Sequence, residues 1–263
     1  MRRVLVMSSF VAHGTVGLQA TLPAFAGPQF DVIAIPTIVL SNHPGHKACA
    51  GSAIPPSTLS DMADALDANG WLAGLDAIFT GYLPSADHVA AARRIVERVK
   101  VLHPAALYVA DPVLGDDPGG LYVSRDTADA MRETLLPLAD IATPNRFELS
   151  WLAQLPADDC ATAITAARAL NRTRLAATSI PAGAGLLANI LVTASSSAKE
   201  TVPLRPNPPH GTGDYFAGCL LAALLDGKTD AAALQDATLA TSKVIAASDH
   251  SDRLIFKTAS LTR

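Results

Sequence analysis

The run His210-Gly211-Thr212-Gly213-Asp214, leading at once into the apolar stretch Tyr215–Leu225, combines residue types that can handle a phosphate and a proton together. Glycines let a backbone turn tightly and approach a ligand closely. The N–H groups of such a turn, at the open end of a helix, form a concave site for anions. Asp214 falls where the helix dipole keeps a carboxylate ionised. An ionised carboxylate beside an oxyanion-binding turn suits removal of a proton from a hydroxyl while phosphate charge is stabilised. The plainer alternative is a capped helix in which Thr212 or Asp214 is an ordinary N-cap.

Other polar clusters have two readings each. Asp111-Pro112-Val113-Leu114-Gly115-Asp116 leaves an apolar strand, and a carboxylate there can hold Mg²⁺ directly or through water. An Asp-Pro turn is the alternative. In Thr143-Pro144-Asn145-Arg146-Phe147-Glu148, Asn145 and Glu148 have capping-box spacing; the functional alternative gives them phosphate and metal-water contacts. Ser9 and the pair Gly14 and Gly17 follow the first strand without a dinucleotide-binding fingerprint or a Walker A motif. In Ser41-Asn42-His43-Pro44-Gly45-His46 the two histidines are poorly spaced for a shared zinc ion, and one of them is expected against a small-molecule substrate. Ser195-Ser196-Ser197 reads as a solvated turn, and no serine lies in a Gly-x-Ser-x-Gly elbow.

Alternating strands and helices are needed to position these clusters. Arg3–Ser8, Asp31–Ile38, Ala77–Tyr82, Ala106–Ala110, Ile141–Thr143, Leu175–Ser179, Asn189–Thr193 and Thr201–Leu204 read as strands, several apolar on both faces. Val89, Ala92, Ile95, Val96 and Val99 recur at helical spacing, as do Leu59, Met62, Ala63 and Leu66, and Leu234, Thr238, Thr241 and Ile245. The pattern predicts an α/β fold with a mostly parallel sheet covered on both faces. Ligands of such sheets bind at the carboxyl ends of strands, where Ser8-Ser9, Ser41–His46, Gly81-Tyr82, Asp111–Asp117, Thr143–Glu148, Thr178-Ser179 and Gly211–Asp214 all fall.

The chain has 263 residues, 49% of them hydrophobic and 17% charged, enough for a sizeable core in one domain spanning 1–263. A net charge of -4 without any Lys/Arg-rich run argues against a nucleic-acid partner. No stretch approaches the ~20 apolar residues of a membrane span, and Met1–Met7 is too short for a secretory core. Cys49, Cys160 and Cys219 are scattered, without disulfide or zinc spacing, so a reduced, cytoplasmic protein is expected.

Taken in order, Ser9…Gly14-Thr15-Val16-Gly17, Ser41-Asn42-His43, Thr80-Gly81-Tyr82-Leu83, Asp111–Asp116, Gly120-Leu121-Tyr122-Val123, Ala139–Asn145, Phe147-Glu148-Leu149 and Gly211–Asp214 resemble the pyridoxal (vitamin B6) kinases of the ribokinase superfamily over nearly the whole chain. The resemblance implies a ribokinase-like three-layer sandwich. It also implies ATP-dependent phosphorylation of the 5′-hydroxymethyl of pyridoxal, often of pyridoxine and pyridoxamine too, usually by a homodimer. By position, Asp214 matches the catalytic base and Gly211, Thr212 and Gly213 the anion hole. Asp111 and Glu148 match the acidic pair near Mg²⁺, and Thr143, Asn145 and Thr178 match nucleotide-side positions. Ser9, Val16, His43 and Tyr82 match the pyridine pocket, while Asp116 and Tyr122 match a flexible loop near the ATP phosphates. A monovalent cation is a further implied cofactor.

The chain departs from the pattern at Pro44, where threonine is common, and at His46 and Cys49, where aromatic residues are common. Less stacking and a lost hydrogen bond would weaken pyridine binding by ~1–3 kcal/mol. The competing enzyme reading is a hydroxymethylpyrimidine (phospho)kinase; many of that branch carry Cys in place of Asp214 and lack the Ser-Asn-His loop. A sugar kinase fits less well, because its lid strands and Gly-rich sugar motif are missing. A non-catalytic B6-binding protein would use Gly211–Asp214 only structurally.

Overall fold

Strands that are apolar on both faces need cover on both faces, and the nine-stranded sheet at the centre of the chain has it. The computed structural model describes residues 1–256. In chain order the elements are β1 (Arg2–Val11), α1 (Leu18–Thr21), β2 (Phe30–Leu40), β3 (Gly51–Ala53), α2 (Pro56–Ala68), β4 (Ala77–Thr80), α3 (Ala86–Leu102) and β5 (Leu107–Ala110). There follow β6 (Gly115–Asp116), β7 (Gly120–Leu121), α4 (Arg125–Ala130), β8 (Ile141–Ala142), α5 (Arg146–Ala153) and α6 (Cys160–Ala169). The chain continues with β9 (Arg174–Pro181), β10 (Leu186–Val192), β11 (Ser197–Pro203), α7 (Thr212–Leu225) and α8 (Asp230–Ala247). The sheet order is β11-β10-β9-β8-β5-β4-β1-β2-β3, parallel from β2 through to β9 and antiparallel at both edges.

Alternation along each strand divides the core into two clusters. Leu5, Met7, Ile78, Tyr108 and Leu175 face one layer, which also contains the buried stripe of α3, Val89 through Val99. Val4, Val6, Phe79, Val109 and Ala176 face the other, against α7 and α8. Side chains on a strand alternate between faces, so one apolar run feeds both layers. The apolar segment after Asp214 is buried nearly all round because α7 packs between the sheet, α1 and α8. At Gly218 an added Cβ would lie 2.9 Å from Ala24 Cβ, which explains the small residue where α7 meets the segment after α1.

The sequence reading places most strands, with three differences. First, β1 runs on to Val11 and β9 to Pro181, so Ser8-Ser9 and Thr178-Ser179 lie inside strands. Both stretches adjoin register shifts, against β2 near Pro36 and against β10 near Asn189. Such irregularities re-aim side chains and accommodate Pro36 within a strand. Second, the exposed three-residue β3 and the β6–β7 hairpin were not foreseen, being too short to show periodicity. Third, the last strand spans Ser197–Pro203 and pairs antiparallel with β10 across a turn tied by Thr193 and Ser196.

Candidate active site

The N-terminus of α7 differs from most of the other helix starts. Ser85, Ser124, Asn145, Asp159 and Thr229 each accept a backbone N–H at the start of their own helix. The cap of α7 is Gly211, with φ +95° and no side-chain cap bond. Neither Thr212 nor Asp214 is therefore the N-cap; they occupy the first and third helical positions. Gly211 is required twice over, because φ is left-handed and an added Cβ would lie 1.8 Å from the Thr15 carbonyl oxygen. Around Gly213, by contrast, an added Cβ would meet nothing within 4 Å, so the turn opens onto free space. Uncapped N–H groups beside open space are what a phosphate requires.

The backbone N–H groups of Asp214 itself and of Gly17, whose φ of +56° and ψ of −128° suit only glycine, lie near enough to the Asp214 carboxyl to favour its charge. Burial still raises its carboxyl to about 6, against the lowering effect of those two N–H groups. Asp111, at the end of β5, is more deeply buried than Asp214, and its Oδ1 accepts a 2.7 Å bond from Thr143 Oγ1. Its pKa is pushed up to about 8, by burial first and then by the Asp214 charge, with the Thr143 hydroxyl opposing. Glu148 is raised by burial and by Asp111, opposed by the N–H groups of Asn145, Leu114 and Gly115. Three acids thus share one poorly solvated region at the carboxyl ends of the parallel strands.

Asn145 and Glu148 form the full capping box: Glu148 N donates to Asn145 Oδ1 and Asn145 N to Glu148 Oε2, both at 2.9 Å. The box extends beyond its own helix. Glu148 Oε1 accepts Leu114 N at 2.9 Å, and Asn145 Nδ2 donates to the Gly115 carbonyl at 2.8 Å. Both residues therefore hold the loop after Asp111 in place. Thr178 bridges Asn145 across the sheet edge and donates its N–H to the Pro144 carbonyl. Asp116 and Tyr122 are close enough at the β6–β7 hairpin for the Asp116 charge to raise the Tyr122 hydroxyl, with burial the larger cause, and Arg146 grips the neighbouring Asp117.

On the opposite side, Ser9 is buried against Gly17, next to half-buried Val16. Tyr82 donates its N–H to Ser8 Oγ, and its carbonyl accepts from Thr37 Oγ1 at 2.7 Å. His43 is partly buried, and Asp116 acts on it electrostatically, so the hairpin reaches towards the loop after β2. Pro44, His46 and Cys49 lie in the same loop, where His46 N donates to the His43 carbonyl at 3.3 Å. All three are exposed: Cys49 Sγ donates to the Asn42 carbonyl, and His46 lines a separate open cavity of about 400 Å³ with His13, Lys47 and Asp252.

Sequence reasoning missed that Gly17 lies beside the Asp214 carboxyl, although the Gly14 and Gly17 spacing hinted at close approach. It also missed the support behind this turn, where Leu254 N donates to Thr15 Oγ1 at 2.6 Å and Phe256 packs on Tyr215. Among the described residues no three His, Cys, Asp or Glu side chains are grouped to hold a metal, and no helix is long and apolar enough to cross a membrane.

The sequence profile of the phosphomethylpyrimidine kinase family matches residues 12–256. A pyridoxal kinase of Deinococcus radiodurans is 33% identical, over 96% of this chain and 88% of its own length. A pyridoxine/pyridoxal/pyridoxamine kinase of Bordetella avium is 35% identical, over 92% of this chain and 82% of its own. Among solved structures, the pyridoxal kinase of Leishmania donovani in complex with ADP and pyridoxine superposes with a TM-score of 0.89 at 30% identity, covering 96% of this chain and 91% of that one.

Two outcomes follow from the geometry. Gly211→Ala is expected to displace Thr15 or distort the turn, weakening nucleotide binding by at least about tenfold, a loss on the order of 1.4 kcal/mol. Unchanged nucleotide titrations would show that the turn tolerates a side chain. The second outcome concerns pH. Asp111 has a folded pKa raised from its ordinary 3.8 to about 8, so the stability linked to its proton is complete below 3.8 and is lost as pH rises through 8. Without nucleotide or metal, Asp111→Asn should gain stability relative to the native chain between pH 4 and pH 8 in urea unfolding. A difference independent of pH would mean that Asp111 is well solvated.

Proposed function

The chain belongs to the pyridoxal kinase family of the ribokinase superfamily, and from that membership we propose that it transfers the γ-phosphoryl of ATP to the 5′-hydroxymethyl of pyridoxal, and also of pyridoxine and pyridoxamine. The observation that carries this reading is the uncapped start of α7, open at Gly213, with the Asp214 carboxyl in its first turn. In-line phosphoryl transfer needs positioning and charge stabilisation more than covalent chemistry. The N–H groups of Gly211, Thr212 and Gly213 would bind the transferring phosphoryl oxygens, and Asp214 would take the proton of the attacking hydroxyl. A carboxyl with a pKa of about 6 is ionised at neutral pH yet basic enough to accept that proton.

ATP would lie along the ends of β8 and β9, with Thr143, Asn145 and Thr178 on the nucleotide side and the Asp116–Tyr122 hairpin over the phosphates. Ser9, Val16, His43 and Tyr82 would line the vitamer pocket. The pair Asp111 and Glu148 suits Mg²⁺ carried on phosphates and water, because two buried, mutually repelling carboxyls favour a cation and no third ligand is grouped with them. When bound, Mg²⁺ neutralises phosphate charge. These residues would set its place, with Thr143 orienting Asp111 and Leu114 and Gly115 orienting Glu148. The family resemblance extends the proposal to a monovalent cation, a homodimer and a cytoplasmic location.

The deciding experiment measures ATP consumption with pyridoxal, pyridoxine, pyridoxamine and hydroxymethylpyrimidine side by side. Preference for the pyrimidine would favour the activity named in the family profile. Vitamer binding without turnover would favour a carrier. Asp214→Asn is expected to lower kcat by roughly 10²–10⁴-fold while ATP binding stays near native. Wild-type turnover in that variant would remove Asp214 from the chemistry. Asp111→Ala and Glu148→Ala should each raise the Mg²⁺ concentration needed for half-maximal rate. Unchanged magnesium titrations would leave Glu148 as a helix cap and loop tether only.

A further inference from the structure

Two imidazoles from distant parts of the chain are stacked at the mouth of the site. The rings of His43, in the loop after β2, and His210, directly before the anion-binding turn, have centroids 3.9 Å apart and planes 22° apart. His43 Nδ1 accepts the Gly45 N–H at 3.1 Å, so a neutral His43 carries its proton on Nε2. Burial, together with His210 and His46, lowers its pKa to about 4, with Asp116 opposing, so it is neutral at physiological pH. An added Cβ at Gly45 would lie 3.0 Å from His43 Nδ1 and 3.8 Å from His210 Nε2, so the backbone of this loop seats both rings. His210 cannot drift from this position easily. Gly211, its neighbour, is held against Thr15, and Pro206, Pro208 and Pro209 restrict the approach.

We propose that His210 is a positioning residue for the aromatic substrate: by stacking on His43 it holds the loop after β2 against the phosphate-binding turn and fixes the orientation of the His43 ring. The inference rests on the functional reading above, which places His43 in the vitamer pocket. It assigns a task to the residue just outside the glycine turn. It also explains how a loop with Pro44, His46 and Cys49 turned to solvent can still present an ordered ring to a flat heterocycle. The stack joins the element that binds the ring to the element that binds the phosphoryl group, so its loss should act on acceptor affinity and leave the chemical step alone.

Steady-state kinetics with pyridoxal and ATP test this on the full chain. His210→Ala should raise KM for pyridoxal about fivefold, the size of one aromatic pair, with kcat and KM for ATP within about twofold of native. His210→Phe, which retains a ring, should recover most of the lost affinity, whereas His210→Gln should behave like alanine. The double variant His43→Ala/His210→Ala should be no worse than His43→Ala, because the two residues act as one unit. Three results would overturn the proposal: an unchanged KM for pyridoxal in His210→Ala, equal losses in kcat and ATP affinity, or strict additivity in the cycle. Should His210→Ala fail to fold, the Phe and Gln variants make the same comparison. A native chain that phosphorylates pyridoxal while His210 variants are indistinguishable from it overturns this inference alone. A native chain that neither binds nor phosphorylates pyridoxal overturns the functional reading, and this inference with it.

Discussion

The contact between Gly211 and the Thr15 carbonyl, with Gly17 beside the Asp214 carboxyl, is the constraint around which the candidate site is arranged. It brings the turn after β1 and the start of α7 together at a distance no side chain could tolerate. A cap donated by serine or aspartate would stabilise α7 by ~1 kcal/mol but would occupy the N–H groups that a phosphate needs. Helices α3, α4, α5, α6 and α8 take that stabilisation locally. Helix α7 does without it and is held by burial of its apolar surface between the sheet, α1 and α8.

The acids around this turn show how the same burial sets the electrostatics. Asp111, Glu148 and Asp214 come from the ends of different elements, and the sheet brings them within range of one another in a poorly solvated region. Backbone N–H groups and the Thr143 hydroxyl offset only part of the cost of charging them. Such a cluster is poised to receive positive charge, and its instability when empty is the counterpart of its affinity when filled. The sheet irregularities serve the same region. One lies beside Ser9 and one beside Thr178, so both strands depart from straight next to residues that the proposed function sets against ligands.

Much of this was legible in the sequence, because the signals are local. Apolar runs bounded by turn residues locate the parallel strands, and helical spacing identifies the buried stripe of α3. The capping box of Asn145 and Glu148 follows from residues three apart, and the glycine turn before α7 from five adjacent residues. Order along the chain carried the family resemblance, and the fold and the family both stand with it.

Contacts between residues distant in sequence, and the direction in which a loop turns, were decided only by tertiary structure. Glu148 reads equally well as cap or ligand in one dimension; in three it also ties down Leu114 and Gly115, which no periodicity encodes. Pro44, His46 and Cys49 share a loop with His43, yet only His43 turns inward, because Gly45 and His210 seat its ring while Cys49 bonds back to Asn42. Gly17 could be read as a place of close approach, but not as a neighbour of the Asp214 carboxyl. Propensity and pattern act over a few residues, whereas these partners meet only after the sheet has assembled and the loops between have closed.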